Sequence, residues 1–369
     1  MQKYVREKKR PDYKIALIAF GLAVFGIISI ATSSTVVAFE KFNQQNNYYY
    51  VWHQLYALVI GFLAMGFFSN FEYKNYKKYS LILMGITLVL LVAVFLPVIG
   101  SSAKGAARWI NIGTSFQPSE LAKITFIIYL ATWLESKKQE LNKFSKALLP
   151  FTLMLGVIAT LIILEPDLGT LTIIVLTSTM MFFAAGAPVW HLGSLGLFLL
   201  TVFLSFIRSA EYRWERFMTF MNPSSEMLDR SYHVNQAFIA VSQGGLFGKG
   251  FGQSLQKMRY LPEPHTDSIF AIICEELGFF RAGLVIFAYL YLFYLGIKTA
   301  MKAPDEFGKL LAIGIVSSLT IQAFINISAM LGLVPLTGVT LPFISYGGTS
   351  LVISFVQVGI LLNISKNAN

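Results

Sequence analysis

Hydrophobic and polar positions alternate along this chain on a long wavelength, with apolar runs of about 20 residues recurring between short polar stretches. A run of that length crosses the hydrocarbon core of a bilayer as one α-helix. The pattern predicts ten spans, near 15–39, 52–68, 80–98, 118–134, 147–164, 170–186, 191–207, 279–297, 310–333 and 345–364. The first run exceeds a signal-peptide core and is followed by many others, which predicts a retained helix. One long polar interval, 208–267, separates the seventh span from the eighth. Within it 212–221 (YRWERFMTFM) interleaves Arg213 and Arg216 with Trp214, Phe217 and Phe220, a pattern for a short helix lying on a membrane surface. A second helical stretch at 232–242 leads into the glycine-rich turn GGLFGKGFG, 244–252.

Composition turns the pattern into a class. Of 369 residues, 55% are hydrophobic and 13% charged, which excludes an ordinary soluble domain and predicts one all-α polytopic membrane domain over 1–369. The net charge of +10 is spread over inter-helix segments, with no basic-aromatic patch standing alone, so it reads as a topology signal and not as nucleic-acid binding. Lys3, Arg6, Lys8, Lys9, Arg10 and Lys14 precede the first span, and alternate loops carry Lys74, Lys77 and Lys78, then Lys137, Lys138, Lys143 and Lys146, then Lys298 and Lys302. The intervening short loops carry Lys41, then Lys104 and Arg108, then neither Lys nor Arg at 165–169 and 336–344. Both termini are therefore expected in the cytoplasm and the long loop 208–267 outside, since long loops translocate largely regardless of charge. Cys274, the single cysteine, lies in an apolar run and is expected to pack; an intramolecular disulfide is excluded.

Charged residues inside or beside the spans are the chemical candidates. Glu120 and Lys123 stand three apart in PSELAK, on one helix face, and unpaired in hydrocarbon would cost roughly 5 to 7 kcal/mol together. They form either an interior-facing polar site or a structural ion pair. Arg108 beside Trp109 reads as an interfacial anchor with a snorkelling cation. Glu165 and Asp167 in EPDLGT read as helix punctuation with Pro166 and Gly169. Glu275 and Glu276, in otherwise apolar FAIICEELGF, require an aqueous or cationic partner and predict a cavity-lining segment. GGLFGKGFG superficially resembles a phosphate-binding loop, but Gly250 follows Lys249 where that loop needs Ser or Thr, so a tight turn is expected. In 256–278, QKMRYLPEPHTDSIFAIICEELG, Asp267 precedes an apolar helix and is either its N-cap or a general base; His265 and Glu263 lie close, and Lys257 and Arg259 lead in.

YLPEPHTDSIFAIICEELG resembles the signature of the SEDS (shape, elongation, division and sporulation) family. The resemblance extends over nearly the whole chain, through ARWINIG, FQPSELAK, EPDLGT and GLVPLTGVTLPFISYGGTSL in order. QKMRYLPE is more similar to the FtsW and sporulation branch than to the RodA branch, and VSQGG departs from the Gly-Ser-Gly-Gly-like turn expected there. The resemblance implies a ten-helix bundle in a bacterial cytoplasmic membrane and a peptidoglycan glycosyltransferase acting on lipid II, with Asp267 matching the catalytic aspartate. Substrate-binding candidates are then Arg108, Lys123, Arg213, Arg216, Lys257 and Arg259, as cations opposite the departing pyrophosphate, together with Glu120 and His265. No dedicated cofactor is implied. A divalent cation, Mg or Mn, would be held by oxygens of Asp267, Glu120 or the phosphates. A class B penicillin-binding protein is the implied partner, with other division or elongation proteins and membrane lipids around it. A lipid II flippase and a non-catalytic scaffold are the alternatives, the first suggested by the buried charges of Glu120, Lys123, Glu275 and Glu276.

Overall fold

The computed structural model describes residues 10–41, 47–96, 100–103, 106–112, 114–208, 214, 218, 232–258 and 260–368. Each of the ten apolar runs forms a helix. In order these are α1 (Tyr13–Ser33), followed by the short α2 (Thr35–Lys41), then α3 (Tyr49–Asn70), α4 (Lys74–Ala93), α5 (Pro118–Ser136), α6 (Leu149–Leu164), α7 (Leu168–Ala184) and α8 (Val189–Arg208). After the long interval, which contributes α9 (Tyr232–Gly244), come α10 (Ile269–Met301), α11 (Glu306–Met330) and α12 (Gly348–Lys366). Six helices are long and apolar enough by length and composition to cross a membrane: α1, α3, α4, α11, α12, and α6 together with the turn Phe144–Leu148. Two shorter apolar stretches are α7 and the part Val189–Ser205 of α8. The protein is thus a multi-pass membrane protein.

Three departures from the sequence pattern have local causes. The first run does not continue to 39 as one helix: α1 stops at Ser33, where Thr32 and Thr35 donate back to the carbonyls of Ser29 and Ala31 at 3.0 and 2.7 Å. The eighth helix starts ten residues before the expected 279, at Ile269, and passes through a non-helical Gly278 (φ 78°, ψ 177°). The loop before α5 is a small antiparallel sheet of order β1 (Gly100–Ala103), β2 (Ala106–Ile112), β3 (Thr114–Phe116), with Ser101 opposite Trp109 and Ile110 opposite Phe116. It delivers the chain to Pro118, whose missing N–H costs nothing in the first turn of α5.

The bundle has an inner and an outer layer. α5, α11 and α12 are buried along most of their length, with α10 packed on α11, α4 on α5, and α3 running along α12. The outer helices show large apolar side chains on their free faces, among them Phe62 and Leu63 of α3, Leu81 and Val89 of α4 and Leu197 of α8, as a lipid-facing surface requires. Small residues permit the closest approaches: a methyl at Gly61 of α3 would stand 2.8 Å from the Phe355 ring of α12, and one at Gly359 of α12 2.7 Å from the Met65 carbonyl. The 208–267 interval is described only in part, and the surface helix expected at 212–221 lies outside the described residues except for Trp214 and Met218.

Candidate active site

Between α11 and α12 the chain runs without helix through 331–347, and a non-helical backbone among packed spans must find its hydrogen-bond partners in neighbouring side chains. Four polar side chains supply them. Gln54 of α3 donates to the Ser345 carbonyl (3.1 Å) and accepts from the Gly347 amide (3.2 Å), and Tyr289 of α10 donates to the Pro342 carbonyl. Gln322 and Asn326, one turn apart on α11, do the rest. Gln322 donates to the Thr340 carbonyl at 3.0 Å, and Asn326 Nδ2 donates to Val339 O at 2.7 Å and to Asp267 O at 2.8 Å. Neither residue belongs to one of the charged sequence motifs. Their signal was available: two amides four residues apart inside an apolar span carry the same cost as other intramembrane polar groups.

On this segment the sequence motifs converge. Lys123 of α5 lies 2.8 Å from Glu120 and donates to Gln322 Oε1 at 2.5 Å, all three side chains being buried. Gln117 and Ser119, from the same motif, donate to Asp167 at 3.2 Å each, and Asp167 caps α7 by accepting from the Thr170 amide at 3.1 Å. The punctuation expected of EPDLGT is therefore present, and it also receives α5. Gly169 of that motif meets the non-helical segment so closely that a methyl there would stand 2.2 Å from Val339 Cγ2. Arg108, on β2, donates through Nε to the Glu165 carbonyl at 3.0 Å and through its terminal nitrogen to the Pro166 carbonyl. It ties the sheet to the end of α6, where a cation also meets the favourable pole of the helix dipole, so its role is more specific than snorkelling.

Asp267 sits opposite Gly338, whose φ of +68° turns the backbone there; a methyl on Gly338 would lie 3.9 Å from Asp267 Oδ2. The capping role open to Asp267 belongs to its neighbour: Ser268 is the N-cap of α10, and it makes no side-chain capping bond. The Ser268 hydroxyl instead donates to the Pro262 carbonyl (2.8 Å) and pairs with His233 Nε2 of α9 (2.7 Å). The Thr266 hydroxyl lies 3.3 Å from Asp267 Oδ1 and 3.0 Å from Glu263 Oε2. Asp267 is thus held by its backbone, through Asn326, while its half-buried carboxylate keeps to the Gly338 side.

Other candidates are placed elsewhere. His265 is buried with its ring against Tyr50 (centroids 4.3 Å apart) and beside Tyr346, and its carbonyl accepts from the Tyr346 amide at 2.9 Å; it anchors the chain next to Asp267. Lys257 is buried against Glu276 at 2.8 Å and donates to the Gly252 carbonyl. Lys249 pairs with Glu275 at 2.8 Å, and the amides of Leu255 and Gln256 donate to the same carboxylate. Glu275 and Glu276 therefore clasp the 249–257 loop; the cavity expected of them is filled by that loop and its lysines. The glycine-rich turn is the expected tight turn: Lys249 and Gly250 amides donate to the carbonyls of Glu275 and Glu276, and Phe279 and Phe280 amides donate back to Gly245 and Leu246. Arg213, Arg216 and Arg259 lie outside the described residues.

Glu165 is the electrostatic outlier. Fully buried, it has no hydrogen-bond partner on either carboxyl oxygen among the described residues. Burial, reinforced by Asp167 and opposed by Arg108, pushes its pKa up to about 8.

Residues 13–369 match the family model of the cell cycle proteins FtsW, RodA and SpoVE. The chain is 41% identical to stage V sporulation protein E of Bacillus subtilis over 364 residues, 98% of each chain. It is 37% identical to a probable peptidoglycan glycosyltransferase FtsW of Geobacter sulfurreducens, over 98% of this chain and 96% of that one. Among solved structures it superposes on a chain of a peptidoglycan synthase complex with TM-score 0.80 (24% identity; 96% and 97% of the two chains). It superposes on RodA of Thermus thermophilus with TM-score 0.72 (22% identity; 100% and 99%).

Proposed function

The chain belongs to the FtsW/RodA/SpoVE family of cell cycle proteins, and from that premise we propose that it is a peptidoglycan glycosyltransferase, polymerising lipid II at the outer face of the cytoplasmic membrane with Asp267 as general base. Polymerisation joins an acceptor sugar hydroxyl to an anomeric carbon whose leaving group is a polyprenyl pyrophosphate. A carboxylate positioned at the acceptor takes the hydroxyl proton as the new bond forms. The observation that carries the reading is that Asp267 is fixed through its backbone by Asn326 and does not cap α10, while polar side chains of α3, α10 and α11, together with Gly169 of EPDLGT and the His265 carbonyl, meet the segment it faces.

Charge builds on the departing pyrophosphate, and preorganised cations stabilise it. Lys123, joined to the same segment through Gln322 and Thr340, is the candidate nearest Asp267 along that network. Arg108 and Lys257 are committed to carbonyls and to Glu276, and act on the site by holding its walls. A magnesium or manganese ion arriving with the pyrophosphate would be held by Asp267 and the phosphates, since Glu120 already neutralises Lys123, and would supply positive charge to the leaving group. The polyprenyl chain stays in lipid against the outer helices.

The alternation of Lys and Arg among the short loops supports a topology with both termini inside and 208–267 outside. A class B penicillin-binding protein, which cross-links what a polymerase makes, is the proposed partner in division or elongation. Against a flippase, Glu275 and Glu276 are each committed to a lysine of the adjoining loop. Purified protein with lipid II separates the readings. Glycan polymer in detergent supports the enzyme; transbilayer movement in liposomes without polymer would establish the flippase, and neither would leave a scaffold.

A further inference from the structure

At the end of the bundle away from Asp267, three helix ends enclose a cleft of about 300 Å³ lined by Arg10, Asp12, Lys298, Thr299, Lys302, Ser365 and Ala368. Arg10 lies just before α1, Lys298 and Lys302 close α10, and Ser365 closes α12. The Asp12 amide donates to Ser365 Oγ at 3.0 Å and joins two of these ends. Asp12 is the one acid in the lining, and its carboxylate is committed to the first turn of α1, accepting from the Lys14 amide at 3.2 Å. Among the described residues Arg10, Lys298 and Lys302 have no ion-pair partner. Of the lysines in neighbouring segments on the same side, some are paired, Lys74 with Asp305, Lys77 with Glu135, Lys138 with Glu306, and Lys137 and Lys146 with Glu140. Others, Lys14, Lys78, Lys143 and Lys366, have no ion pair among the described residues, but only Arg10, Lys298 and Lys302 line this cleft together.

The dipole of the long helix α10 accounts for lysines at its C-terminus. It does not account for a third cation brought from another element to the same cleft, which leaves three cations against the single carboxylate of Asp12, none of them ion-paired to it. The helices that bring these cations carry exposed apolar side chains within about two turns of them: Tyr13 and Leu17 of α1, and Tyr294 and Met301 of α10, are 64%, 72%, 57% and 73% exposed. A ligand here meets three positive charges at its head and a lipid-facing surface along its length. We propose that this cleft binds the headgroup of an anionic phospholipid, its phosphodiester between Arg10, Lys298 and Lys302 and its acyl chains along α1 and α10. Basic pockets between spans on the cytoplasmic side take such headgroups, and the space is that of a small-ligand site. Each cation near an anionic headgroup contributes roughly a factor of five in affinity, so three give a preference over zwitterionic lipid on the order of a hundred-fold. The assignment of the lipid to the inner leaflet rests on the termini being cytoplasmic; binding itself does not depend on it, nor on the glycosyltransferase reading.

The test is thermal unfolding of the full chain in zwitterionic detergent, titrated separately with phosphatidylglycerol, phosphatidylcholine and soluble glycerol 3-phosphate. Phosphatidylglycerol is expected to raise the Tm saturably and the other two are not. Lys298→Gln with Lys302→Gln should keep the Tm measured without added lipid and raise the half-saturating phosphatidylglycerol fraction about 25-fold. Lys74→Gln with Lys77→Gln should leave it unchanged. If the double variant is unstable, Arg10→Gln, outside every helix, is expected to raise the half-saturating fraction about fivefold. Equal stabilisation of wild type and cleft variants, or no stabilisation of wild type, would overturn the proposal. An equal response to glycerol 3-phosphate would replace it with a soluble phosphate site.

Discussion

Lys123 donates to Gln322 across the α5–α11 interface at 2.5 Å while holding the Glu120 carboxylate 2.8 Å away on its own helix. A buried pair of this kind is costly to break from one side, because the remaining charge has no water to return to; the usual loss is about 3–5 kcal/mol. Lys123→Ala is therefore expected to lower the Tm of the detergent-solubilised protein and its polymerisation together. Lys123→Met combined with Glu120→Gln removes both charges and should restore most of the Tm. Polymer yield from lipid II then separates the roles: a stable double variant that stays inactive assigns the pair to substrate, and one that recovers full activity assigns it to structure alone.

Asp267→Asn is expected to fold normally, since the carboxylate does not cap α10 and the carbonyl bonded to Asn326 is kept. An amide cannot take the acceptor's proton at neutral pH, so polymerisation should fall roughly 100-fold or more. Melting temperature and lipid II turnover on the same preparation check this, and near wild-type turnover would remove Asp267 as the base.

Glu165 predicts a pH dependence whose sign follows from its raised pKa. Below pH 4.5 the carboxyl is protonated in folded and unfolded chains alike, and it carries no penalty. Between 4.5 and about 8 the folded chain keeps a proton that the unfolded chain releases, so stability falls as pH rises, by about 1.4 kcal/mol per unit. Above 8 the penalty is complete. Glu165→Gln should match wild type near pH 5 and melt progressively higher than wild type as pH goes to 9, in parallel thermal scans.

Gly278 and Gly248 meet back to back: a methyl on Gly278 would stand 2.3 Å from the Gly248 nitrogen, and both residues have positive φ, 78° and 83°. Gly278→Ala combines the strain of that backbone with a clash against main chain that cannot swing aside, and is expected to cost about 2 kcal/mol or more. Limited proteolysis should find 245–258 cut faster in the variant, with the Tm lowered; unchanged protection would mean that the turn and the kink are not coupled.

Ten helices were legible in the sequence because a bilayer sets a minimum apolar length that few other environments demand, and 15–39 failed as a single span only where a Ser/Thr cluster competed for backbone bonds. The helical character of 269–278 was legible, but not that these ten residues join the eighth span as the start of α10. Glu275 and Glu276 interrupt their hydropathy, and the lysines that neutralise them, Lys249 and Lys257, lie 26 and 19 residues away in a loop that no periodicity places there. The same limit applies to the site. Asp267 stood out by its neighbours in sequence, whereas Gln322 and Asn326 acquire meaning only when the 331–347 backbone comes to lie against them. Arg108 was visible as a charge near an interface, but its attachment to the end of α6 depends on a sheet too short to read from alternation.

The seam between α3 and α12 has a consequence for how the protein is made. Gln54 and Tyr73 take their partners, Ser345 and Asn363, from positions 291 and 290 residues later in the chain, and Asn363 returns a bond to Ser69. During synthesis α3 reaches the membrane long before α12 leaves the ribosome. Until then Gln54 is a polar side chain in a span without its native acceptor, a mark by which membrane quality control can tell a nascent or truncated chain from a finished one. The contact between α3 and α12 forms only once α12 has entered the membrane. The 331–347 segment, which Gln54 helps to hold, is completed in the same event, so the site facing Asp267 comes into being only with the whole bundle.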